Sequence, residues 1–173
     1  MEKTNKDLSP KPIEIAREDL GVTLRQFTVS DSGEIFKLID GNREHLSQHG
    51  DDTAGKYKIL QDVVDSIEKP SNPAKLRFAI RNKEGVYVGT INLTPESSTR
   101  AEIGYYLGRE FTGKGYITKA AQALTDYAFM NLGYQELFGK VHKDNIASFR
   151  VLERAGYKLS RQEAEKLILA RTS

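Results

Sequence analysis

The run Gly108-Arg109-Glu110-Phe111-Thr112-Gly113-Lys114-Gly115-Tyr116 constrains this chain more than any other stretch of it. It lies between a strand-forming segment, Ala101 to Leu107, and a segment in which Ile117, Ala121, Leu124, Ala128 and Leu132 return at helical spacing. Glycines let the backbone turn tightly there, and the free N–H groups at the start of the next helix point into the turn, where the helix dipole favours negative charge. Such a turn is suited to phosphate. Gly108 to Lys114 also satisfies the first seven positions of a P-loop, but the next position must supply a hydroxyl for magnesium and here it is Gly115. Taken alone, the loop is also compatible with an ordinary glycine-rich strand-to-helix connection.

The surrounding order of elements narrows the choice. Val22 to Phe27 alternates like a strand near a sheet edge, and Ile35, Leu38, Ile39 and Leu46 follow at helical spacing, interrupted by Gly41. Ser30 or Asp31 can cap that helix. Gln48 to Lys56 reads as a polar loop. Ile59, Leu60, Val63, Val64 and Ile67 then form a second apolar stripe that Pro70 and Pro73 stop. Leu76 to Arg81 and Val86 to Leu93 read as a hairpin, and Leu137 to His142 as a further strand after the helix that Gly133 ends. Asn145 to Ala155 is a short helix closed by Gly156, and Tyr157 to Arg171 is expected to form a terminal hairpin rather than a helix through Glu163 to Leu169. A chain of 173 residues suits one domain, here expected over residues 13–173 behind a flexible tail of residues 1–12.

Glu102-Ile103-Gly104-Tyr105-Tyr106-Leu107, then Gly113-Lys114-Gly115-Tyr116, then Asp144-Asn145-x-x-Ser148-x-x-Val151-Leu152-Glu153-x-x-Gly156-Tyr157 resembles the core of the GNAT superfamily of N-acetyltransferases. Within it the chain resembles the ribosomal-protein alanine acetyltransferase (RimJ/RimL-type) branch, to which Asn42-Arg43-Glu44-His45-Leu46 is similar as well. The resemblance runs from about Val22 to the C-terminus. It implies an α+β fold, a twisted mixed and mainly antiparallel sheet with helices on both faces, whose middle strands part around acetyl-CoA. It implies no resident metal.

By position, the resemblance makes Glu110-x-x-Gly113-x-Gly115 the pyrophosphate turn, with Glu110 where the family more usually has Gln or Arg. Thr112, Gly113, Lys114, Gly115, Tyr116 and Ile117 are thus the expected phosphate contacts, and Tyr105 and Leu107 the expected backbone contacts of the pantetheine arm. Asn145 is expected to hydrogen-bond the arm, although its place also suits a helix cap. Ser148, one turn further, is the candidate proton donor to the departing thiolate; a solvated hydroxyl is the plainer reading. Glu102 shares a strand face with Gly104 and Tyr106 and is the candidate base for the amine, directly or through water. Lys119, Lys143, Arg150 and Arg154 flank the groove as further phosphate partners or as a solvated basic face.

The chain has no cysteine, which excludes thiolate catalysis and disulfides and favours direct transfer in a ternary complex. A formal charge of +2 calls for neither nucleic acid nor membrane, and the polar first residues hold no secretion signal, so a cytoplasmic monomer or homodimer is expected. His45 and His49 would share a helical face but lack a third metal ligand. The acceptor reads only as an amine, of a small molecule or a protein N-terminus. Asp51 and Asp52 would favour a cationic amine if they faced the pocket, and the tryptophan-rich stretch common in relatives after Leu46 is missing. A module that binds acyl-CoA without turning it over is the competing reading.

Overall fold

A computed structural model describes residues 10–173. Eight strands form one sheet: β1 (Glu14–Arg17), β2 (Val22–Gln26), β3 (Leu76–Arg81), β4 (Tyr87–Pro95), β5 (Arg100–Leu107), β6 (Glu136–His142), β7 (Lys158–Glu163) and β8 (Lys166–Thr172). Their order is β1-β2-β3-β4-β5-β6-β8-β7, antiparallel throughout except where β5 meets β6. Between β2 and β3 run α1 (Ser32–Asp40), α2 (Arg43–Leu46), α3 (Thr53–Lys56) and α4 (Leu60–Glu68); α5 (Tyr116–Asn131) follows β5 and α6 (Ile146–Arg154) follows β6. This is the mixed, mainly antiparallel α+β architecture that the sequence leads one to expect.

Alternation along the strands divides the core in two. Leu24, Phe78, Ile80, Ile91, Leu93 and Ile103 face Ala120, Ala121, Leu124 and Ala128 of α5. Across the sheet, Ala79 and Tyr87 pack with Ile35, Leu38 and Ile39 of α1 and Val63 of α4. Small residues on the α5 face let that helix lie close to the sheet, and its ends are fixed by Gly115 and Gly133, both at left-handed φ.

Three details differ from the sequence reading. Val22–Gln26 is not the first strand, because β1 pairs with it outside; four residues of which only Ile15 is buried carry too little alternation to announce a strand. The expected loop from Gln48 to Lys56 contains a 3₁₀ turn, Gln48–Gly50, and α3, which starts where the Asp51 carboxylate accepts the Thr53 N–H at 2.7 Å. The face that would unite His45 and His49 does not form, since α2 ends at Leu46 and His49 has φ 55°. Of the expected tail, residues 1–9 lie outside the described residues, while residues 10–12 have no regular structure. The terminal hairpin is present, joined through Ala164 and Glu165, and buries Ile168 and Leu169 against the sheet.

Candidate active site

The site begins where the sheet comes apart. β5 and β6 pair only through Arg100 with Glu136, Ala101 with Leu137 and Glu102 with Phe138. Beyond Glu102 the strands diverge, so residues 103–107 of β5 and 139–142 of β6 present unpaired backbone edges to a cavity of about 680 Å³. That volume is within the range of small-molecule and cofactor sites. The two strands run parallel because α5 carries the chain back across the sheet between them, and so the N-terminus of α5 opens at the mouth of the gap.

At that mouth Gly113 and Gly115 both adopt left-handed φ, 76° and 78°. An L-residue there would cost about 1–2 kcal/mol, whereas glycine holds the turn unstrained at the edge of the groove. A nest of backbone N–H groups at a helix start is an anion site that needs no cationic side chain. Thr112, Gly113, Gly115, Tyr116 and Ile117 all line the cavity. Lys114 does not: its ammonium lies 5.8 Å from the Phe111 ring, away from the groove.

The opposite wall is α6. Its cap, Asn145, accepts the Ser148 N–H on Oδ1 at 3.1 Å, which leaves its amide NH₂ without a hydrogen bond among the described residues and bordering the groove. The Ser148 hydroxyl is 2.8 Å from that of Tyr105, which also donates to the Ser148 carbonyl at 3.2 Å. Burial pushes Tyr105 up to about 12, partly offset by its hydrogen bond with Ser148, so its proton stays in place at neutral pH. Tyr105 and Leu107 line the cavity too. The tyrosine–serine pair joins residues 43 positions apart, and nothing in the sequence announces it.

Glu102 sits at the end of the paired segment, outside the cavity lining, on the same face as Gly104 and Tyr106. Its half-exposed carboxylate is 3.8 Å from the Lys140 ammonium. His142 borders the cavity, and its Nδ1 accepts the Asp144 N–H at 3.2 Å. Among the flanking cations Arg150 and Arg154 line the groove, whereas Lys143 is tied to Glu165 at 2.9 Å.

The segment Asn42-Arg43 does structural work that the sequence shows only as a likeness. Asn42 Oδ1 accepts the Arg109 N–H at 2.8 Å, anchoring the phosphate loop to α1. Arg43 donates to the carbonyls of Ala54 at 2.8 Å, Tyr57 at 3.1 Å and Lys58 at 3.2 Å, and to Asp40 at 2.8 Å. The two neighbours thus fasten the cofactor turn and the α3 segment to one point. Of the acidic pair of that segment, Asp51 lines the cavity while accepting the Thr53 N–H at 2.7 Å, and Asp52 lies outside the lining, paired with Lys56 at 2.9 Å.

A gap between parting parallel strands, with a backbone anion nest at its mouth and free strand edges along its walls, defines a protein built to hold an extended, phosphate-bearing cofactor. Residues 22–158 match the family described as the acetyltransferase (GNAT) domain. The chain belongs to the GNAT acetyltransferase family, whose members are acetyl-CoA-dependent N-acetyltransferases.

YdaF of Bacillus subtilis, named as a candidate ribosomal N-acetyltransferase, is 37% identical over 149 residues, covering 79% of this chain and 77% of that one. The uncharacterized N-acetyltransferase p20 of Bacillus licheniformis is 38% identical over 105 residues, a match spanning 58% of this chain and only 57% of p20. Among solved structures, the ribosomal L7/L12 α-N-protein acetyltransferase RimL in complex with coenzyme A superposes with a TM-score of 0.80 at 21% identity, covering 94% of this chain and 98% of that one. The microcin C7 self-immunity acetyltransferase MccE, in complex with acetyl-CoA and AMP, gives 0.76 at 23% identity, covering 96% and 98%. No helix among the described residues is long and apolar enough to cross a membrane.

Proposed function

We propose that the chain transfers the acetyl group of acetyl-CoA to a primary amine by direct attack within one ternary complex. The observation that carries this reading is the parting of β5 and β6 after Glu102 beside the nest at Gly113 and Gly115. The diphosphate would rest on the amides of residues 112–117. The pantetheine arm would add along the free edge of β5 and be held by the Asn145 amide, with its thioester beside Ser148. Gly104 supports this arrangement, since a Cβ there would meet nothing within 4 Å and the acceptor can reach the thioester from the α1–α4 side of the sheet.

The chemistry then balances within the site. The amine lone pair attacks the thioester carbonyl, and free N–H groups of β5 are available to the oxyanion. The tetrahedral species collapses by breaking the C–S bond; the thiolate takes the Ser148 proton, Tyr105 passes its own proton to Ser148 across their 2.8 Å contact, and Tyr105 regains a proton from solvent, to which the one taken from the amine is released. Glu102 receives the amine proton through water, since its carboxylate stands outside the cavity lining. Relatives name both protein N-termini and spermidine as acceptors, and the amine of this chain's acceptor is a peptide N-terminus or a small molecule.

Turnover tests the reading. Acetyl-CoA is incubated with the protein and a panel of peptide and small-molecule amines while free thiol is followed; release that depends on the amine and drops in Ser148→Ala is expected. If no amine consumes the thioester while acetyl-CoA still raises the melting temperature, the chain is a binding module and the enzymatic reading is wrong.

A further inference from the structure

The sheet face that carries Gly104 continues across β4 and β3. Gly104 stands opposite Asn92 on β4, and Asn92 opposite Arg77 on β3, so Arg77 lies two strands, roughly 10 Å, from the point where amine and thioester meet. A second cavity of about 480 Å³ opens there, between β3 and the α3–α4 segment. Its lining includes four cations, Lys56, Lys69, Lys75 and Arg77, and two carboxylates, Asp62 and Asp65.

The acids are committed to their own helix. Asp62 accepts the N–H groups of Lys58 and Ile59 at 2.8 and 3.0 Å, and Asp65 accepts from Gln61 at 2.8 Å. Lys56 is paired with Asp52, and the nearest acid of the sheet face, Glu102, stands beside Lys140. Three cations therefore meet no carboxylate among the described residues: Lys69, Lys75 and Arg77. Arg77 is nonetheless rigid, since it donates to Ser66 at 3.0 and 3.1 Å and to the Tyr57 hydroxyl at 3.2 Å, with its guanidinium 4.9 Å from the Phe27 ring centroid. Burial lowers the affinity of Lys75 for its proton and the charges of Arg77 and Lys56 lower it further, while the more distant carboxylates of Glu102 and Asp52 offset part of this. Asp62 and Asp65 line the same cavity, yet neither is within ion-pair distance of Lys69, Lys75 or Arg77, so an oriented arginine and a half-buried lysine remain open to a carboxylate from outside.

We propose that this cavity binds a carboxylate of the acceptor, so that the enzyme selects peptides carrying a negative charge about three residues from the reacting N-terminus. An extended chain covers about 3.3–3.6 Å per residue, so three residues span the ~10 Å between Gly104 and Arg77. The proposal rests on the transfer reading given above. It also sets the chain apart from an enzyme for polycations, because a second ammonium at that distance would meet Lys75 and Arg77.

The test compares N-terminal tetrapeptide amides that differ only at the third residue, Asp, Asn or Lys, together with a Ala-Ala-Ala tripeptide as free acid and as amide. At low salt kcat/KM is expected to be about tenfold higher for Asp than for Asn, lower again for Lys, and higher for the free-acid tripeptide than for its amide. Lys75→Gln and Lys69→Gln together should bring the Asp peptide down to the level of the Asn peptide, while melting temperature in acetyl-CoA monitors folding. Equal rates for Asp and Asn, or a preference that survives both substitutions, overturn the proposal.

A lack of turnover with every peptide would sink the transfer reading instead. The anion site is then read by equilibrium binding of the N-acetylated Asp and Asn peptides to the CoA-loaded protein. About tenfold tighter binding of the Asp peptide, abolished by Lys75→Gln, supports the site, and equal binding overturns it.

Discussion

Replacing Tyr105 by Phe removes one oxygen from the buried wall of the groove and tests the chemistry proposed there. That oxygen makes two contacts, at 2.8 Å to the Ser148 hydroxyl and at 3.2 Å to the Ser148 carbonyl. As a structural loss this costs about 1 kcal/mol, since a neutral hydrogen bond is worth roughly that and the helix amides of α6 are unaffected. As a chemical loss it removes the proton supply of Ser148, and kcat is expected to fall on the order of 10²-fold, about 2.7 kcal/mol of barrier. The KM for acetyl-CoA should change less than about threefold, because the phosphate nest is remote. Ser148→Ala should fall by a similar factor, and the double variant by about the same factor again rather than by the product, since two members of one relay fail together. Steady-state thiol release over pH 7–10 supplies the numbers. With Tyr105 pushed up to about 12, its ionisation should leave kcat flat across that range. A Phe variant with wild-type kcat, or a double variant that loses the full product of the single effects, refutes the relay.

Arg43→Ala should unfasten the α3 segment, with about 1–2 kcal/mol of lost stability after allowance for the partial exposure of the guanidinium. Its amine KM should rise severalfold while calorimetry finds acetyl-CoA affinity unchanged. Gly104→Val should leave acetyl-CoA binding intact and lower kcat/KM for every amine at least tenfold, because the side chain fills the space through which the acceptor approaches. Alkaline stability follows from the buried tyrosines. Burial raises Tyr87, Tyr105 and Tyr157 above the ordinary value, so the native state holds their protons more tightly. Their contribution is complete below pH 10 and is lost as pH rises through the folded-state values; Tyr105 alone accounts for roughly 3 kcal/mol. Urea midpoints should hold from pH 8 to pH 10 and drop by pH 11, and an unchanged midpoint at pH 11 contradicts this.

What the sequence discloses about the fold is whatever chemistry is local. Gly113 and Gly115 stand out because left-handed φ demands glycine, and the α5 stripe because a 16-residue helix repeats its pattern often enough to be read. β1 escapes because four residues offer one buried side chain, and α3 because it is a single turn inside an otherwise polar run, its first N–H held by Asp51. The site divides along the same line. The turn residues Thr112, Gly113, Gly115, Tyr116 and Ile117 line the groove, while the Lys114 side chain lies beside Phe111, an orientation that a backbone motif does not encode. Tyr105 with Ser148, Asn42 with the Arg109 amide, and Asn92 with both Arg77 and Gly104 are pairings fixed by strand register and helix docking. Each joins distant positions, and no spacing along the chain encodes them.

In the proposed complex, bare amides between Thr112 and Ile117 grip a diphosphate. Isothermal titration of acetyl-CoA, and of dephosphorylated pantetheine thioester, into the wild-type protein and Gly113→Asp addresses it directly. Micromolar binding of acetyl-CoA is expected, with losses of at least a hundredfold both when the diphosphate is removed and when the aspartate places a negative charge in the turn. Equal affinity for the pantetheine thioester, or unaltered acetyl-CoA binding by Gly113→Asp, contradicts it.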